Sequence, residues 1–261
     1  MPTLSVAMIA YNEAENIPRS LQSVRWADQI VVVDCDSADD TVSTAIRLGA
    51  EVYTTENNPN LNIAKNLAID KCQSEWILIL DADEIIPDDL AGEIRLILSS
   101  PCCDGYLIPR RNYTLGRWLR RGGEYPDCQL RLFRRGRGRF PARHIHERLH
   151  VDGAIGKLHH PFNHYPYPDI SSFLRKNLRD AEFEAVYRYK QGHRIGTCGL
   201  MGQLGLRIPG RYICRYLFRG GILDGVPGLI RAWFDAMNEG LRWIRLWEIR
   251  RRQDNKPGDR V

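Results

Sequence analysis

The chain has 261 residues, 43% of them hydrophobic, which is enough for one large domain or for a domain with an appendage. Residues 1–105 carry 6 lysines and arginines against 18 acidic residues, whereas residues 106–261 carry 31 against 14. An acidic first part suits a metal-dependent site and a basic second part suits an anionic partner, while the lack of any run of about 18 uncharged apolar residues argues against a transmembrane helix.

Strands and helices alternate in the prediction for the first hundred residues. The apolar segment Leu4–Ala10 is interpreted as a first strand and not as a signal peptide, because no basic segment precedes it. Asn12 is expected to cap the helix that follows. The further predicted elements are a helix over 14–24, a strand over 30–33, a helix over 42–48, a strand over 51–54, a helix over 62–72, a strand over 76–80 and a helix over 90–98. This alternation predicts a parallel, doubly wound sheet.

Polar residues follow three of these strands, in the segments Tyr11–Glu13, Asp34–Ser37 and Asp81–Glu84. Ligands of open α/β sheets bind beyond the carboxyl ends of the strands, so these segments are expected to form a site. Closely spaced carboxylates suit Mg²⁺ or Mn²⁺, which could bridge them to a diphosphate. The alternative, that Asp81–Glu84 is only the acidic start of the next helix, stays open from these residues alone. No GxGxxG follows the first strand, which argues against a dinucleotide-binding dehydrogenase.

The middle of the chain is rich in arginine, with twelve between Arg110 and Arg148. Strands are predicted over 106–110, 129–134 and 147–151, and helices over 171–190 and from residue 228 onward. Few aromatic residues lie between the arginines, so nucleic acid is not expected as a partner. A surface for an anionic substrate is the favoured interpretation.

Four segments resemble, in order, the nucleotide-binding segments and the metal-binding DXD motif of family 2 inverting glycosyltransferases. They are SVAMIAYNEAENI, VVVDCDSADDT, NIAKNLAI and LILDADE. The resemblance implies an α/β fold of the GT-A type, which is Rossmann-like, with a mostly parallel sheet covered by helices and a C-terminal helical extension. It divides the chain into a catalytic domain, residues 1–165, and a helical, membrane-associating region, residues 166–261. Within the first, 1–105 would bind the nucleotide sugar and 106–165 the acceptor.

Later segments resemble one branch of that family, which glucosylates the heptose of the bacterial lipopolysaccharide inner core. These segments are GGEYPDCQLRLFRRGRGRF, HIHE, HYPY and RGGILDG. The branch implies a UDP-sugar donor, a lipid-linked glycan acceptor and a place at the anionic, cytoplasmic face of the inner membrane. Two alternatives are a polyprenyl-phosphate sugar synthase and a non-catalytic protein that binds nucleotide sugars or membrane surfaces.

The resemblance assigns site residues to the donor and to a Mg²⁺ or Mn²⁺ ion. Those implied to bind the nucleotide sugar are Tyr11, Asn12, Glu13, Asp34, Asp36, Lys65, Asn66, Asp81 and Ala82. Asp83 is the implied metal ligand, with Asp81 and His164 as further candidates.

Asp127 is the candidate general base, since inverting transfer needs a carboxylate that takes the proton of the acceptor hydroxyl. Glu124 is the second candidate, because Asp127 follows a proline here and not the glutamate common in the family. A merely structural pair between Asp127 and an arginine is the alternative. Residues expected near the acceptor or diphosphate are Glu124, Gln129, Arg131, His146 and Glu147, and alternation places Gln129 and Arg131 on the face of Asp127.

The last predicted helix is basic and amphipathic. Its apolar stripe comprises Leu229, Ile230, Trp233, Phe234, Met237, Leu241 and Ile244. Such a helix fits a membrane interface, although packing on the catalytic domain gives the same pattern. The seven cysteines form no CxxC pair, and their odd number favours a reduced, cytoplasmic protein.

Overall fold

The computed structural model describes residues 2–58, 60–141, 147–167 and 169–254. These residues form two compact units. The first contains the residues up to 111 together with 126–165, and the second contains 112–125 together with the residues from 166 onward. The predicted domains stay a prediction, and the segment 112–125, assigned to the first of them, groups here with the second unit.

Four parallel strands alternate with helices at the start of the first unit. The strands are β1 (Leu4–Ala10), β2 (Gln29–Asp34), β3 (Glu51–Thr54) and β4 (Trp76–Asp81), and the helices are α1 (Ile17–Ser23), α2 (Thr41–Arg47), α3 (Leu61–Lys71) and α4 (Asp88–Ser99). They lie in the order β3-β2-β1-β4. Since β1 to β4 all run in parallel, their carboxyl ends share one edge, as predicted for the first hundred residues.

Beyond β4 the sheet changes direction. The remaining strands are β5 (Glu84–Ile85), β6 (Gly105–Thr114), β7 (Arg117–Trp118), β8 (Asp127–Arg134), β9 (Gly138–Arg139), β10 (His150–Val151), β11 (Ile155–Lys157) and β12 (Phe162–Tyr167). The main sheet continues as β4-β8-β6-β12-β5, with β8 antiparallel to both β4 and β6. The predicted strand over 147–151 is only the two residues of β10, which pair with β9 outside the main sheet.

Strand β4 forms the centre of the sheet and is buried on both faces. Alternate residues enter opposite core clusters, with Leu78 packed among side chains from α1 and α4, and Ile79 among side chains from α3. No residue from Trp76 to Leu80 is more than 2% exposed. A solid apolar run therefore marks a doubly covered strand, as the sequence predicted.

Helices form most of the second unit: α5 (Ile170–Lys190), α6 (Thr197–Gly202), α7 (Ile208–Ile213) and α8 (Gly225–Asp254). Two π-helical turns, Gln203–Arg207 and Cys214–Phe218, flank α7, and a 3₁₀ turn spans Gly221–Asp224. No helix within the described ranges is both long and apolar enough to cross a bilayer.

The predicted apolar stripe of α8 is partly exposed and partly packed, and its role at a membrane stays a prediction. Small residues at every fourth position are fully buried, namely Gly228, Ala232, Ala236 and Gly240. A β-carbon on Gly228 would overlap the carbonyl oxygen of Gly221. The lack of a side chain at Gly228 therefore lets the backbone of α8 approach the backbone at Gly221 closely. Leu229, Trp233 and Ile244 of the predicted stripe are exposed.

Candidate active site

The loops after β1 and β2 hold each other through side-chain to backbone hydrogen bonds. Asn12 and Asp36 both adopt left-handed backbone conformations, with φ of 53° and 65°. The backbone N–H of Asn12 donates to Oγ of Ser37 at 2.9 Å, and the N–H of Ala38 donates to Oδ1 of Asn12 at 2.8 Å. The prediction that Asn12 caps the first helix is wrong, because α1 begins only at Ile17 and the amide of Asn12 serves the neighbouring loop.

Asp34 is only 2% exposed, at the end of β2. Its Oδ2 accepts from the N–H of Ser37 at 3.0 Å, and its Oδ1 accepts from the Ser37 hydroxyl at 2.5 Å. The N–H of Glu13 donates to Oγ1 of Thr41 at 2.8 Å. The Asp34 carboxylate thus shapes the loop, and the exposed side chains at this edge include those of Asp36 and Tyr11.

Asp81, the last residue of β4, lies between two cations. Lys65 Nζ is 2.8 Å from Oδ1 of Asp81, and Arg131 Nη2 is 2.9 Å from its Oδ2. Burial opposes ionisation of the carboxyl, but Lys65 and Arg131 outweigh it and hold the pKa of Asp81 well below its usual range. Asp81 is therefore a fixed anion that orients both cations.

Glu84 lies next to Asp81 and Arg131 and has no exposed side-chain surface. Its Oε2 accepts from the N–H of Asp81 at 2.9 Å, and its Oε1 accepts from Arg131 Nη2 at 2.6 Å. Burial raises the pKa of Glu84, although Arg131 counteracts it, and the two carboxylates raise the pKa of Arg131 despite its burial. Sequence reasoning gave Glu84 no role of its own, because a buried and a solvated glutamate look alike in a motif.

Asp83 and His164 come together through strand pairing. His164 lies opposite Glu84 in the antiparallel pair of β5 and β12, and the N–H of Tyr165 donates to the carbonyl of Asp83 at 2.9 Å. His164 Nε2 is 3.5 Å from Oδ2 of Asp83, and the two side chains are 13% and 15% exposed.

The donor chemistry of this pair fits Mn²⁺ or Mg²⁺, since carboxylate oxygen suits both ions and imidazole suits first-row metals. In the ranges that the structure covers, no three His, Cys, Asp or Glu side chains cluster around one point. Asp83 and His164 are two candidate ligands from the described residues, and the oxygens of a bound diphosphate could supply others. Asp81 is already bound to Lys65 and Arg131.

Asp127 begins β8 opposite Arg110 of β6. Arg110 Nε donates to Oδ2 of Asp127 at 2.9 Å, and Gln129 Nε2 donates to its Oδ1 at 2.6 Å. The arginine pair that was the structural alternative is thus present, yet the Asp127 side chain remains 30% exposed. Arg110 Nη1 lies 3.9 Å from Oε1 of Glu84, so it connects Asp127 with the carboxylates at the end of β4. Arg110 was not singled out by sequence reasoning.

Other predicted site residues have different surroundings. Glu124 belongs to the second unit, where its buried carboxylate binds Arg215 and Arg231. The amide of Asn66 exchanges two hydrogen bonds of 3.0 Å with the backbone of Phe140.

The predicted site also includes Ala82, Glu147 and His146. Ala82 is 4% exposed and packs in the core. Glu147 is half-buried in the loop before β10. His146 lies outside the described residues.

A hollow of about 410 Å³ elsewhere in the first unit is lined by the turn after β8 and the end of α3, including Asp70, Arg139 and His150. It contains none of the predicted site residues. Its position next to the start of β4 puts it at the opposite edge of the sheet from Asp81.

Residues 5–155 match the family model described as "Glycosyl transferase family 2". An uncharacterized glycosyltransferase of Rickettsia conorii, RC0292, is 37% identical, over 95% of this chain and 89% of that protein. The lipopolysaccharide core biosynthesis glycosyltransferase LpsC of Rhizobium meliloti is 25% identical, over 94% and 92%. The match to an uncharacterized glycosyltransferase of Rickettsia felis, 40% identical, spans only 38% of that protein.

Two solved structures share the fold. The mannosyltransferase PcManGT of Pyrobaculum calidifontis, in complex with GDP-Man and Mn²⁺, superposes with a TM-score of 0.52 at 16% identity, over 95% of this chain and 88% of that chain. TarS residues 1–349 of S. aureus, in complex with UDP-GlcNAc, gives a TM-score of 0.52 at 14% identity, over 98% and 93%. The GT-A type of α/β fold expected from the sequence is thereby confirmed.

Proposed function

The chain belongs to glycosyl transferase family 2, and from this premise we propose that it transfers glucose from a UDP-sugar to the heptose of a lipopolysaccharide inner core. The observation that carries the proposal is the meeting of three groups in the first unit: the Lys65–Asp81–Arg131 ion pairs, the Asp83–His164 pair and Asp127 with Arg110. LpsC, a relative along nearly the whole chain, supports the class of acceptor.

The donor diphosphate is proposed to bind next to Lys65 and Arg131, whose charges balance its own. Asp83 and His164 would hold Mn²⁺ or Mg²⁺, which when bound neutralises charge on the leaving diphosphate. Mn²⁺ is present in the PcManGT complex. Asp36 and Tyr11, exposed on the neighbouring loops, are proposed to face the nucleoside.

Asp127 is the proposed general base. Its carboxylate takes the proton of the acceptor hydroxyl while that oxygen bonds to the anomeric carbon and the bond to the diphosphate breaks, which inverts the configuration. Arg110 and Gln129 each hold one oxygen of Asp127, so they fix its orientation. Glu124 is less suited to this role, because two arginines already enclose it.

The acceptor is proposed to be lipid-borne, which puts the enzyme at the cytoplasmic face of the inner membrane as a peripheral protein.

The test combines donor and acceptor selection. The protein is incubated with UDP-glucose, UDP-GlcNAc or GDP-mannose, with and without Mn²⁺, and with heptose-terminated lipopolysaccharide or a polyprenyl phosphate. We expect metal-dependent transfer of glucose to heptose, and a β-linkage by NMR spectroscopy from an α-linked donor. Transfer to polyprenyl phosphate alone would make the protein a lipid-sugar synthase. Binding of nucleotide sugar without any transfer would make it a binding protein.

A further inference from the structure

The second unit exposes many large apolar side chains within residues 201–233, called here the 201–233 surface. They are Met201, Leu206, Ile213, Leu217, Phe218, Ile222, Leu223, Val226, Leu229 and Trp233. Phe218 is 84% exposed and Leu206 is 80% exposed. Soluble monomers rarely expose large contiguous apolar patches, and such patches usually mark contacts with proteins or membranes.

The chain segment that forms most of this surface carries charge of one sign. Residues 185–223 contain seven lysines and arginines and no aspartate or glutamate. Arginines recur every fourth residue at 207, 211, 215 and 219. Arg211 and Arg215 are bound to Asp235, whereas Arg207 and Arg219 have no acidic partner in the part of the chain that the structure describes. Exposed apolar groups beside uncompensated positive charge complement an anionic lipid surface.

Aromatic contacts join the two sides of this surface. Tyr212 of α7 stacks on Tyr216 with ring centroids 5.6 Å apart, and it meets Trp233 of α8 edge-on at 5.8 Å. Tyrosine and tryptophan favour the boundary between water and hydrocarbon. By contrast, Trp243 and Trp247, the other tryptophans of α8, pack around the buried Leu246 and are directed into the second unit.

We propose that the 201–233 surface binds an anionic lipid bilayer, with its apolar side chains at the level of the acyl boundary and with Arg207 and Arg219 among the head groups. This assigns membrane contact to the π-helical turns and α7 together with the first turns of α8. The sequence pattern favours instead the last helix, predicted from residue 228 onward. The inference rests on the proposed function only in that a lipid-borne acceptor requires the enzyme at a membrane.

The test is sedimentation of the full chain with vesicles of phosphatidylcholine, alone or mixed with phosphatidylglycerol. Replacing Phe218→Glu and Leu223→Glu together should lower binding on the order of a hundredfold, because two apolar side chains lose their burial and gain charge. Replacing Arg207→Gln and Arg219→Gln should lower binding roughly thirtyfold, and only on the anionic vesicles. Leu96→Glu, at a 73% exposed position of the first unit, is the matched control and should change nothing.

Two results would overturn the proposal. The first is equal sedimentation of wild type and the Phe218→Glu, Leu223→Glu variant when circular dichroism shows both folded. The second is a wild-type dimer in analytical ultracentrifugation that this variant dissociates, without vesicle binding by either protein, because the surface then serves a second copy. Hydrolysis of UDP-sugars without vesicles is measured in parallel. If the wild type does not hydrolyse UDP-sugars, that result counts against the proposed function. The vesicle results test the membrane surface independently of it.

Discussion

Asp81 and Asp83 stand two residues apart in one motif, but the structure surrounds them differently. Asp81 is held between Lys65 and Arg131, whereas Asp83 lies beside His164. Two cations already bind the Asp81 carboxylate, whereas Asp83 and His164 combine two kinds of donor, carboxylate and imidazole, that suit a metal ion. The two aspartates therefore have different roles: Asp81 positions the two cations, and Asp83 is proposed to bind the metal ion.

Replacing Asp83→Asn should abolish the effect of Mn²⁺ on nucleotide affinity and reduce transfer on the order of 10²-fold or more, since the amide keeps the shape but loses the charge. Isothermal titration with UDP, with and without Mn²⁺, measures the first effect. The control is Asp88→Asn, an exposed carboxylate at the start of α4. A metal response unchanged in Asp83→Asn would remove Asp83 from the metal site.

Replacing Asp127→Asn should leave donor and metal binding nearly intact and lower kcat on the order of 10²-fold, because the chemical step loses its proton acceptor. Glu124→Gln is the matched comparison, and we expect it to affect stability more than kcat, since it uncouples Arg215 and Arg231. Loss of donor binding in Asp127→Asn, with normal turnover of bound donor, would assign Asp127 a structural role with Arg110.

At the scale of elements, the two-residue strand β5 determines the geometry of the metal candidates. It follows directly after Asp83 and pairs with β12, which brings His164 to the carboxylate from 81 residues further along the chain. The turn after β4 is closed by Glu84, which accepts from the N–H of Asp81. A short pairing thus aligns side chains that α4 and the strands β6 to β11 separate in sequence.

Helix α8 packs closely against its neighbours through small residues, whereas strand β4 packs through large apolar ones. Replacing Gly228→Ala should lower the free energy of unfolding by roughly 1–3 kcal/mol, because the new methyl group overlaps the Gly221 carbonyl and the backbones must separate. Gly205→Ala is the control, since its methyl group meets no atom within 4 Å. It should leave stability unchanged or raise it by up to about 1 kcal/mol. Urea unfolding measures both, and equal stability of the two variants would contradict the close packing.

At the scale of the whole molecule, acid should destabilise the protein through carboxylates that the fold keeps ionised. Three arginines, Arg211, Arg215 and Arg231, outweigh burial and lower the pKa of Asp235, as Lys65 and Arg131 do for Asp81. A lowered folded-state pKa contributes stability above the unfolded value, about 3.9 for aspartate, and loses it as the pH falls through the folded value. Glu84, whose pKa is raised, acts in the opposite direction.

The free energy of unfolding should therefore be level between about pH 7 and pH 5 and fall below about pH 4, with uptake of protons on unfolding. Urea titrations at several pH values measure it. In Asp235→Asn the stability at pH 7 should be lower and the decline towards pH 3 shallower, because one depressed carboxyl is missing. The same slope in variant and wild type would mean that Asp235 is not among the groups that cause the decline.

The sequence by itself determined the strands of the first hundred residues, their parallel direction and the edge where polar residues collect. This follows because a solid apolar run and a change to polar residues are local signals of a strand buried on both faces and of its end. Motif resemblance added the family and named Asp83, Asp127 and His164. It gave Asp83 to the metal but left Asp81 between the nucleotide sugar and the metal, since both are aspartates in the same acidic segment.

Only the tertiary structure decided which side chains contact each other at the site. Arg110 meets Asp127 across two antiparallel strands, Glu84 is buried under Arg131, and Asn12 adopts a left-handed conformation to bind the next loop. These contacts join residues up to 47 positions apart, as for Arg131 and Glu84, so no local pattern carries them. The small-residue packing of α8 escapes a hydropathy pattern for a related reason. Hydropathy weights large apolar side chains, whereas this helix also buries glycine and alanine at every fourth position so that its neighbours can approach.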